Sequence, residues 1–182
     1  METLGPNLYL IGFMGVGKSA VGRQAARVLH HEFIDSDQAI EQREGRSIRD
    51  IFAAQGEAHF RELEAAFLRD GHPARGCVVA CGGGLPIPPG RREMLLERGV
   101  VVCLFASVET ILRRVSGNQK RPLLNTADPA ARVRELLAAR EPIYMQTGIG
   151  VSAEGRGMDE IVGNVVRIYR REALAWKEST DA

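Results

Sequence analysis

Two hydrophobic patterns alternate along the chain, and each change of pattern predicts an element boundary. Short apolar runs with the length of buried strands cover residues 8–11, 32–34, 77–81, 100–105 and, most weakly, 148–152. Between these runs, apolar residues recur every three or four positions, as on one face of a helix. This spacing predicts helices over residues 18–29, 38–43, 48–54, 57–69, 91–98, 108–115, 129–144 and 159–175.

Strands that alternate with helices indicate parallel βαβ units, and here they predict an α/β fold with a five-stranded parallel sheet. Ser47 is a candidate cap for the 48–54 helix, and Asp128 followed by Pro129 is a strong helix start. We expect residues 1–182 to form a single domain and residues 176–182 to be a frayed tail. Ligands of such sheets bind at the carboxyl ends of the strands, so the residues that follow each strand are the candidates for function.

The turn after the first strand, residues 12–19, fits the pattern G-x-x-x-x-G-K-[ST]. Gly12, Gly15 and Gly17 let the backbone curl so that successive N–H groups point inward at a phosphate chain. The next helix adds the positive end of its dipole. Lys18 supplies a cation for the outer phosphates, and Ser19 supplies an oxygen ligand for Mg²⁺. A chance match in a glycine-rich chain is the alternative, but the strand before and the helix after favour a nucleotide site.

Polar and glycine-rich residues also follow the second and third strands. Asp35 and Asp37, two positions apart, are expected to point toward the same cleft, one toward a metal's water shell and the other toward a substrate hydroxyl. Asp37 could instead cap the following helix. The three consecutive glycines at 82–84 indicate a small ligand lying flat against the main chain. A tight turn is the alternative for the glycines, although it would need only one or two.

Basic residues suggest how an anionic substrate would be held. Arg61 and Arg140 each lie in a predicted helix, and a guanidinium can grip a carboxylate through paired hydrogen bonds. Taken alone, each arginine is more often an ordinary surface residue. Residues 114–127 have no hydrophobic period but carry Lys120 and Arg121, which is typical of a lid that closes over a nucleotide. A solvated connector is the alternative for this segment.

Composition narrows the class of protein. The 182 residues have a net charge of +1 and are 45% hydrophobic, so nothing suggests a bulk nucleic-acid or membrane binder. Locally, residues 32–64 hold nine acids and four arginines, whereas residues 113–140 hold seven basic residues and two acids. That asymmetry suits metal–phosphate chemistry, though solvated helix faces would explain about half of the charges. The three cysteines lie in apolar runs without C-x-x-C spacing, which predicts reduced thiols and a cytoplasmic protein.

The N-terminal region does not have the pattern of a targeting signal. It has no basic segment before its apolar run, and Gly12 and Gly15 interrupt that run, so we expect no signal peptide. No apolar run approaches the length needed to span a membrane.

These segments together resemble the shikimate kinase family, within the nucleoside-monophosphate-kinase-like group of P-loop proteins. The matching stretches are GFMGVGKS (12–19), FIDSD (33–37), EGRSIRDIF (44–52), GEAHFRELE (56–64), CGGG (81–84), RPLL (121–124) and REPIY (140–144). They span most of residues 8–145. The resemblance implies a three-layer fold with strand order 2-3-1-4-5, a substrate-binding section at 35–64 and a lid at 114–127. It also implies a monomer that transfers the γ-phosphoryl of MgATP to the 3-hydroxyl of shikimate.

The resemblance further implies a role for individual residues. Asp37 would hydrogen-bond the reacting hydroxyl, and Asp35 and Ser19 would serve the Mg²⁺ ion. Arg61 and Arg140 would hold the shikimate carboxylate, with Glu64 holding Arg61. The main-chain wall against the ring would be formed by Gly82, Gly83 and Gly84. The nucleotide contacts would come from Gly15, Val16, Gly17, Lys18, Ser19, Ala20, Arg114, Arg121 and Arg156. Catalytic contributions are implied for Lys18, Asp37 and Arg121.

Within the nucleotide set, Arg121 would reach the transferring phosphate and Arg114 would lie beside the adenine. Three departures from the family pattern weaken parts of this assignment. Ala20 stands where P-loops often carry a second hydroxyl, although its N–H can still serve the α-phosphate. The segment 155–158 around Arg156 matches poorly, and the pair Gln119–Lys120 is atypical of the lid.

Three alternatives remain open at the level of sequence. The first is another small-molecule kinase of the same fold, of the gluconate or nucleotide type. The second is a GTP-dependent switch, which would normally carry a guanine-reading N-K-x-D that this sequence lacks. The third is an inactive relative that binds nucleotide or a partner, against which Lys18, Ser19, Asp37 and Arg121 argue.

Overall fold

The computed structural model describes residues 5–115 and 127–180, with side chains as far as residue 176. Within these residues the strands are β1 (Asn7–Ile11), β2 (Glu32–Asp35), β3 (Cys77–Ala80), β4 (Gly99–Phe105) and β5 (Ile149–Ser152). The helices are α1 (Lys18–Leu29), α2 (Ser36–Glu44), α3 (Ile48–Asp70), α4 (Arg91–Arg98), α5 (Val108–Val115), α6 (Pro129–Thr147) and α7 (Met158–Thr180).

The strands form one parallel sheet in the order β2-β3-β1-β4-β5. The predicted fold class and the strand order implied by the resemblance are therefore confirmed. The central strand β1 is buried along its whole length, because helices cover both faces of a parallel sheet. This is why β1 reads as a continuous apolar run rather than as an alternating one. Helices α1 and α7 pack against each other and against β3 and β4, while α6 packs on β4 beside α5.

Two helix starts differ from the predicted ones for identifiable reasons. Helix α2 begins at Ser36, because the Asp35 carboxylate accepts hydrogen bonds from the N–H groups of Asp37 and Gln38. The helix cap is thus Asp35, and the alternative of Asp37 as the cap is wrong. The two helices expected over 48–54 and 57–69 are continuous in α3, but Gly56 (φ 79°, ψ 178°) interrupts the helical backbone between them. The Ser47 and Asp128 caps are confirmed, since each side chain accepts a hydrogen bond from its helix's first turn.

The end of the chain also differs from the expectation. Helix α7 continues to Thr180, so residues 176–180 are helical rather than frayed. The Arg75 guanidinium lies over the Trp176 ring, 5.3 Å from its centroid, and this contact ties the last turns of α7 to the loop before β3. In the parts of the chain that the structure describes, no helix is long and apolar enough to cross a bilayer. Most of the predicted lid, including Arg121, lies outside the described residues.

Candidate active site

Three neighbouring strands, β2, β3 and β1, end at one edge of the sheet, and most of the predicted site residues follow them directly. The loop after β1, residues 12–19, is called the phosphate loop below. Gly15 (φ 79°) and Gly17 (φ 103°) have positive φ angles, which the tight curl of this loop requires. The Lys18 Nζ donates to the carbonyl oxygens of Gly12 and Phe13 at 2.8 Å each. Helix α1 begins at Lys18 without a side-chain cap, so its first turn offers N–H groups to an anion.

Ser19 and Asp35 meet at the base of this loop. The Ser19 hydroxyl donates to Asp35 Oδ2 at 2.7 Å, while Asp35 Oδ1 caps α2. The cap fixes the orientation of the carboxylate, and the contact places two hard oxygen atoms side by side. Mg²⁺ is commonly bound by one or two such protein oxygens together with water and substrate phosphates. The pair therefore fits the predicted magnesium site.

The residues after β2 contact those after β3 through a hydrogen bond and close packing. Ser36, which is fully buried, accepts a hydrogen bond from the Gly82 N–H at 2.8 Å. The Asp37 carboxylate lies directly against Gly82, so that a Cβ on Gly82 would collide with it. Because Asp35 caps the helix, Asp37 is left to face the glycines.

Each glycine of the segment 82–84, called the glycine wall below, lies against a different neighbour. Gly82 contacts Asp37, and Gly84 contacts the Arg61 guanidinium so closely that a Cβ there would overlap it. A Cβ on Gly83 would come within 3.4 Å of the Met14 nitrogen in the phosphate loop. None of the three has a positive φ angle. Side chains that lie against the main chain therefore account for Gly82 and Gly84, whereas a Cβ on Gly83 would make only an ordinary contact. The segment also turns, since the Leu85 N–H donates to the Gly82 carbonyl at 3.0 Å.

Arg61 is held by two carboxylates of its own helix. Its Nη1 pairs with Glu64 Oε2 and its Nη2 with Glu57 Oε1, both at 2.7 Å. Glu64 is 1% exposed, and burial raises its pKa to about 7 even though Arg61 pulls it down. Burial also opposes the charge of Arg61, but the two carboxylates outweigh it and raise the Arg61 pKa. The predicted role of Glu64 as a holder of Arg61 fits this geometry.

Arg140 lies on α6, the helix that also contacts the glycine wall. It is buried, and one turn later the Tyr144 hydroxyl donates to the Gly83 carbonyl. Burial raises the pKa of Tyr144 to about 12, although the nearby Arg140 guanidinium and the charge of Arg61 both oppose the rise. Both arginines thus act on one tyrosine at the wall. The structure therefore brings Asp37 and Arg61 against the glycine wall and places Tyr144, one turn after Arg140, on the same wall.

Of the residues predicted for the adenine side, one contacts the phosphate loop and the other does not. Arg114 Nη1 donates to the Val16 carbonyl at 3.1 Å, and its Nη2 donates to the Ala153 carbonyl at 2.9 Å. Arg114 therefore joins the phosphate loop to the segment after β5. Arg156 is exposed and pairs with Glu160 on α7 at 3.3 Å, and this ion pair does not involve the phosphate loop. Ala20 is exposed in the first turn of α1.

Sequence reasoning missed three residues that build this site. Ser36 was passed over between two more conspicuous aspartates, and its burial could not be read from the pattern. Tyr144 lies four residues after Arg140 on one helix, and this spacing, which places two side chains on the same helix face, was an available signal. Arg91, the first residue of α4, donates to the Arg61 carbonyl at 2.5 Å and carried no signal.

The comparisons with known proteins agree with this geometry. The family model described as shikimate kinase matches residues 14–170. A shikimate kinase of Thermus thermophilus is 46% identical over 167 residues, which is 91% of either chain. One from Caldanaerobacter subterraneus is 39% identical over 163 residues, 90% of this chain and 95% of that relative.

Among solved structures, the shikimate kinase of Acinetobacter baumannii in complex with shikimate superposes with a TM-score of 0.88. The two are 36% identical, and the alignment covers 94% of this chain and 96% of the other. The family match covers the phosphate loop after its first two residues, the glycine wall and both arginines, and the relatives align over nine-tenths of the chain. The chain therefore belongs to the shikimate kinase family.

Proposed function

We propose that the chain transfers the γ-phosphoryl group of ATP to the 3-hydroxyl of shikimate, giving shikimate 3-phosphate and ADP. This reaction is a step in the synthesis of chorismate and the aromatic amino acids. The observation that carries the proposal is the meeting of Arg61 and Asp37 on one glycine wall, beside the phosphate loop. An acid-bearing ring with a hydroxyl needs both groups, one for its carboxylate and one for the reacting oxygen. Family membership and the solved relative in complex with shikimate support the same substrate.

Arg61 and Arg140 bind the substrate carboxylate in this proposal. Both guanidiniums lie near the Tyr144 hydroxyl, and both are at least partly shielded from water. A charge pair shielded from solvent is stronger than one at the surface, and each arginine can offer two parallel N–H donors. The ring then lies beside the glycine wall, within reach of the Asp37 and Arg61 side chains that pack against Gly82 and Gly84.

Asp37 orients the reacting hydroxyl and accepts its proton late in the transfer. A carboxylate has a reference pKa of ~4, far below that of an alcohol, so it cannot deprotonate the hydroxyl before the oxygen begins to bond to phosphorus. The main contribution of Asp37 is therefore to position the oxygen in line with the γ-phosphorus. Phosphoryl transfer has a loose transition state, for which positioning and charge stabilisation are the chief means of catalysis.

The phosphate loop binds the nucleotide through N–H groups from Gly15 to Ala20. Lys18 exchanges its contacts with the Gly12 and Phe13 carbonyls for the outer phosphates, where it balances the charge that develops on the leaving ADP. Ser19 and Asp35 would hold Mg²⁺, with water between Asp35 and the ion, and the ion would neutralise phosphate charge. Arg121 supplies a further cation to the transferring group as the lid closes, and the closed lid excludes water from the reaction. Arg114 and Arg156 form the adenine side.

The same proposal includes a monomer in the cytoplasm. The three cysteines are free and buried, which suits a reducing compartment. A sedimentation measurement of the purified chain at assay concentration tests the monomer.

The reaction is tested by ADP release from the purified chain with MgATP and, separately, shikimate, gluconate or a nucleoside monophosphate. We expect ADP formation that depends on shikimate and stops when EDTA removes the metal. The Lys18→Met variant, assayed in parallel, excludes a contaminating kinase. ADP formation with gluconate or a nucleotide in place of shikimate would favour another small-molecule kinase. Nucleotide binding without turnover on any acceptor would favour the inactive relative.

A further inference from the structure

A second arginine lies behind Arg61, and the phosphoryl-transfer mechanism gives it no task. Arg91 is 7% exposed at the start of α4, and its Nη2 donates to the backbone carbonyl of Arg61 at 2.5 Å. Its Nη1 is buried with no hydrogen-bond partner among the described residues. A buried guanidinium that leaves one nitrogen unpaired is costly to folding. We therefore expect an electrostatic interaction of the buried Arg91 guanidinium to offset this cost.

The charges that surround Glu64 supply that interaction. Glu64 pairs with Arg61 on its own helix at 2.7 Å, and the charges of Asp37 on α2 and Arg91 on α4 also act on its carboxyl group, Asp37 raising and Arg91 lowering its pKa. Burial keeps the nearby Cys81 thiol after β3 neutral by raising its pKa. The exposed Glu57 also pairs with Arg61, so three carboxylates stand against the two guanidiniums of Arg61 and Arg91. Without Arg91, Glu64 would lose one of the two positive charges that lower its pKa, which favours its protonation.

We propose that Arg91 is a positioning residue for the acid substrate, because it fixes the turn of α3 that carries Arg61 and balances the charge of Glu64. The inference rests on the proposed function. Ionised Glu64 pairs with Arg61 at 2.7 Å and so holds the guanidinium in one orientation for the substrate carboxylate. A protonated Glu64 holds Arg61 less firmly. Arg91 opposes this protonation and keeps Arg61 aimed at the ligand.

Three variants separate charge from packing. Arg91→Gln keeps a donor for the Arg61 carbonyl but removes the charge, and Arg91→Lys keeps the charge. Arg92→Gln removes the same charge from the next residue, which is exposed. For each variant, kcat and the KM values for shikimate and ATP are measured between pH 6 and pH 9, with circular dichroism as the folding check.

We expect Arg91→Gln to raise KM for shikimate about tenfold between pH 7 and pH 8, with kcat and KM for ATP within about twofold of wild type. The pKa of Glu64 is about 7 in the wild type and should rise when Arg91 is neutralised. The KM ratio of variant to wild type should therefore fall toward pH 9, where Glu64 is ionised in both proteins. Arg91→Lys should restore most of the affinity, and Arg92→Gln should match wild type.

The inference is overturned if Arg91→Gln behaves like Arg92→Gln, or if its KM ratio is the same at every pH. Should Arg91→Gln not fold, Arg91→Met, which keeps the apolar stem without the charge, is measured in its place: a pH-dependent rise in KM for shikimate supports the inference and a wild-type profile rejects it. A wild type that turns over shikimate while Arg91→Gln is unaffected refutes only the role of Arg91. A wild type that does not turn over shikimate refutes the proposed function itself.

Discussion

The phosphate loop and the glycine wall are both rich in glycine, but for opposite reasons. Gly17 has a φ angle of 103°, and a Cβ there would meet no atom within 4 Å, so its requirement is one of backbone conformation. Gly82 and Gly84 have no positive φ, yet a Cβ on either would collide with Asp37 or Arg61. The phosphate loop needs glycine in order to curl, since Gly12, Gly15 and Gly17 all have positive φ angles, although a Cβ on Gly12 or Gly15 would also meet Leu104 or Val115. The glycine wall needs glycine so that two charged side chains can lie against the main chain.

The two reasons for glycine differ in how far the sequence alone can reveal them. The positive φ angles of the phosphate loop belong to a contiguous motif with fixed spacing, whereas the steric requirement at Gly82 and Gly84 depends on side chains brought from α2 and α3. The two loops should also fail differently when they are mutated. Damage to the phosphate loop should weaken ATP binding, and damage to the glycine wall should weaken the handling of the acid substrate.

The largest expected effect is the loss of kcat when Asp37, the side chain that lies against Gly82, is replaced. Asp37→Asn should lower kcat roughly 10²- to 10⁴-fold, because an amide cannot accept the hydroxyl proton. ATP affinity, measured by isothermal titration, should stay close to wild type, since the phosphate loop is untouched. Near-normal turnover would remove Asp37 from the chemistry and would leave Gly82 without a functional reason.

The next effect concerns the arginine on α6. Arg140→Ala should weaken shikimate binding by roughly 2–5 kcal/mol, the range for truncating one partner of a shielded charge pair. The KM for shikimate measures this loss, and the KM for ATP serves as the internal control. An unchanged KM for shikimate would reject the carboxylate clamp.

A matched pair of glycine substitutions tests the comparison itself. Gly84→Ala should displace Arg61 and raise KM for shikimate about tenfold or more, without a comparable change for ATP. Gly17→Ala should do the reverse and lower the free energy of unfolding by roughly 1–3 kcal/mol through backbone strain.

Gly163→Ala on α7 is the control for this pair, because that position is helical and has open space around it. It should leave both KM values unchanged and slightly stabilise the fold. If Gly84→Ala and Gly17→Ala impair the two substrates equally, the division of labour between the loops is wrong.

A smaller effect should appear in the pH dependence of the wild type. Glu64 has a pKa of about 7, so it is ionised at pH 8 and largely protonated at pH 6. Because the ionised form holds Arg61, KM for shikimate should rise severalfold, roughly 3-fold to 10-fold, as pH falls from 8 to 6. KM for ATP should change much less. Glu64→Gln, which cannot titrate, should abolish the difference between the two substrates.

The smallest effect is expected at the tyrosine behind the wall. Tyr144→Phe removes the hydrogen bond to the Gly83 carbonyl and should lower the free energy of unfolding by about 1 kcal/mol. Urea denaturation followed by fluorescence or circular dichroism measures this change. A variant as stable as wild type would mean that the Gly83 carbonyl finds another donor.

The sequence was informative where a physical signal is local. The buried strands appear as short apolar runs, the helices as a period of three to four residues, and the phosphate loop as one contiguous motif. Each of these elements was predicted close to its observed position. Helix α2 begins two residues before its predicted start, because Asp35 accepts from the N–H groups of Asp37 and Gln38, a backbone contact that the residue pattern does not record. The length of α7 was underestimated because Trp176 is held by Arg75, about a hundred residues earlier in the chain.

The convergence of Arg61 and Arg140 could not be derived from spacing, because nearly eighty positions separate them. The family resemblance supplied that expectation, and the structure supplied the geometry. The roles of Ser36, Arg91 and Tyr144 depend on burial and on contacts between elements, which neither composition nor periodicity records.

The central claim is that the phosphate loop and the glycine wall hold two substrates for a direct transfer between them. The most direct measurement is identification of the product formed from shikimate and MgATP, by mass and by phosphorus–proton coupling in NMR. The account predicts one new phosphate ester at the 3-hydroxyl and one ADP for each ester formed. Release of inorganic phosphate without an ester, or an ester at another hydroxyl, would contradict it.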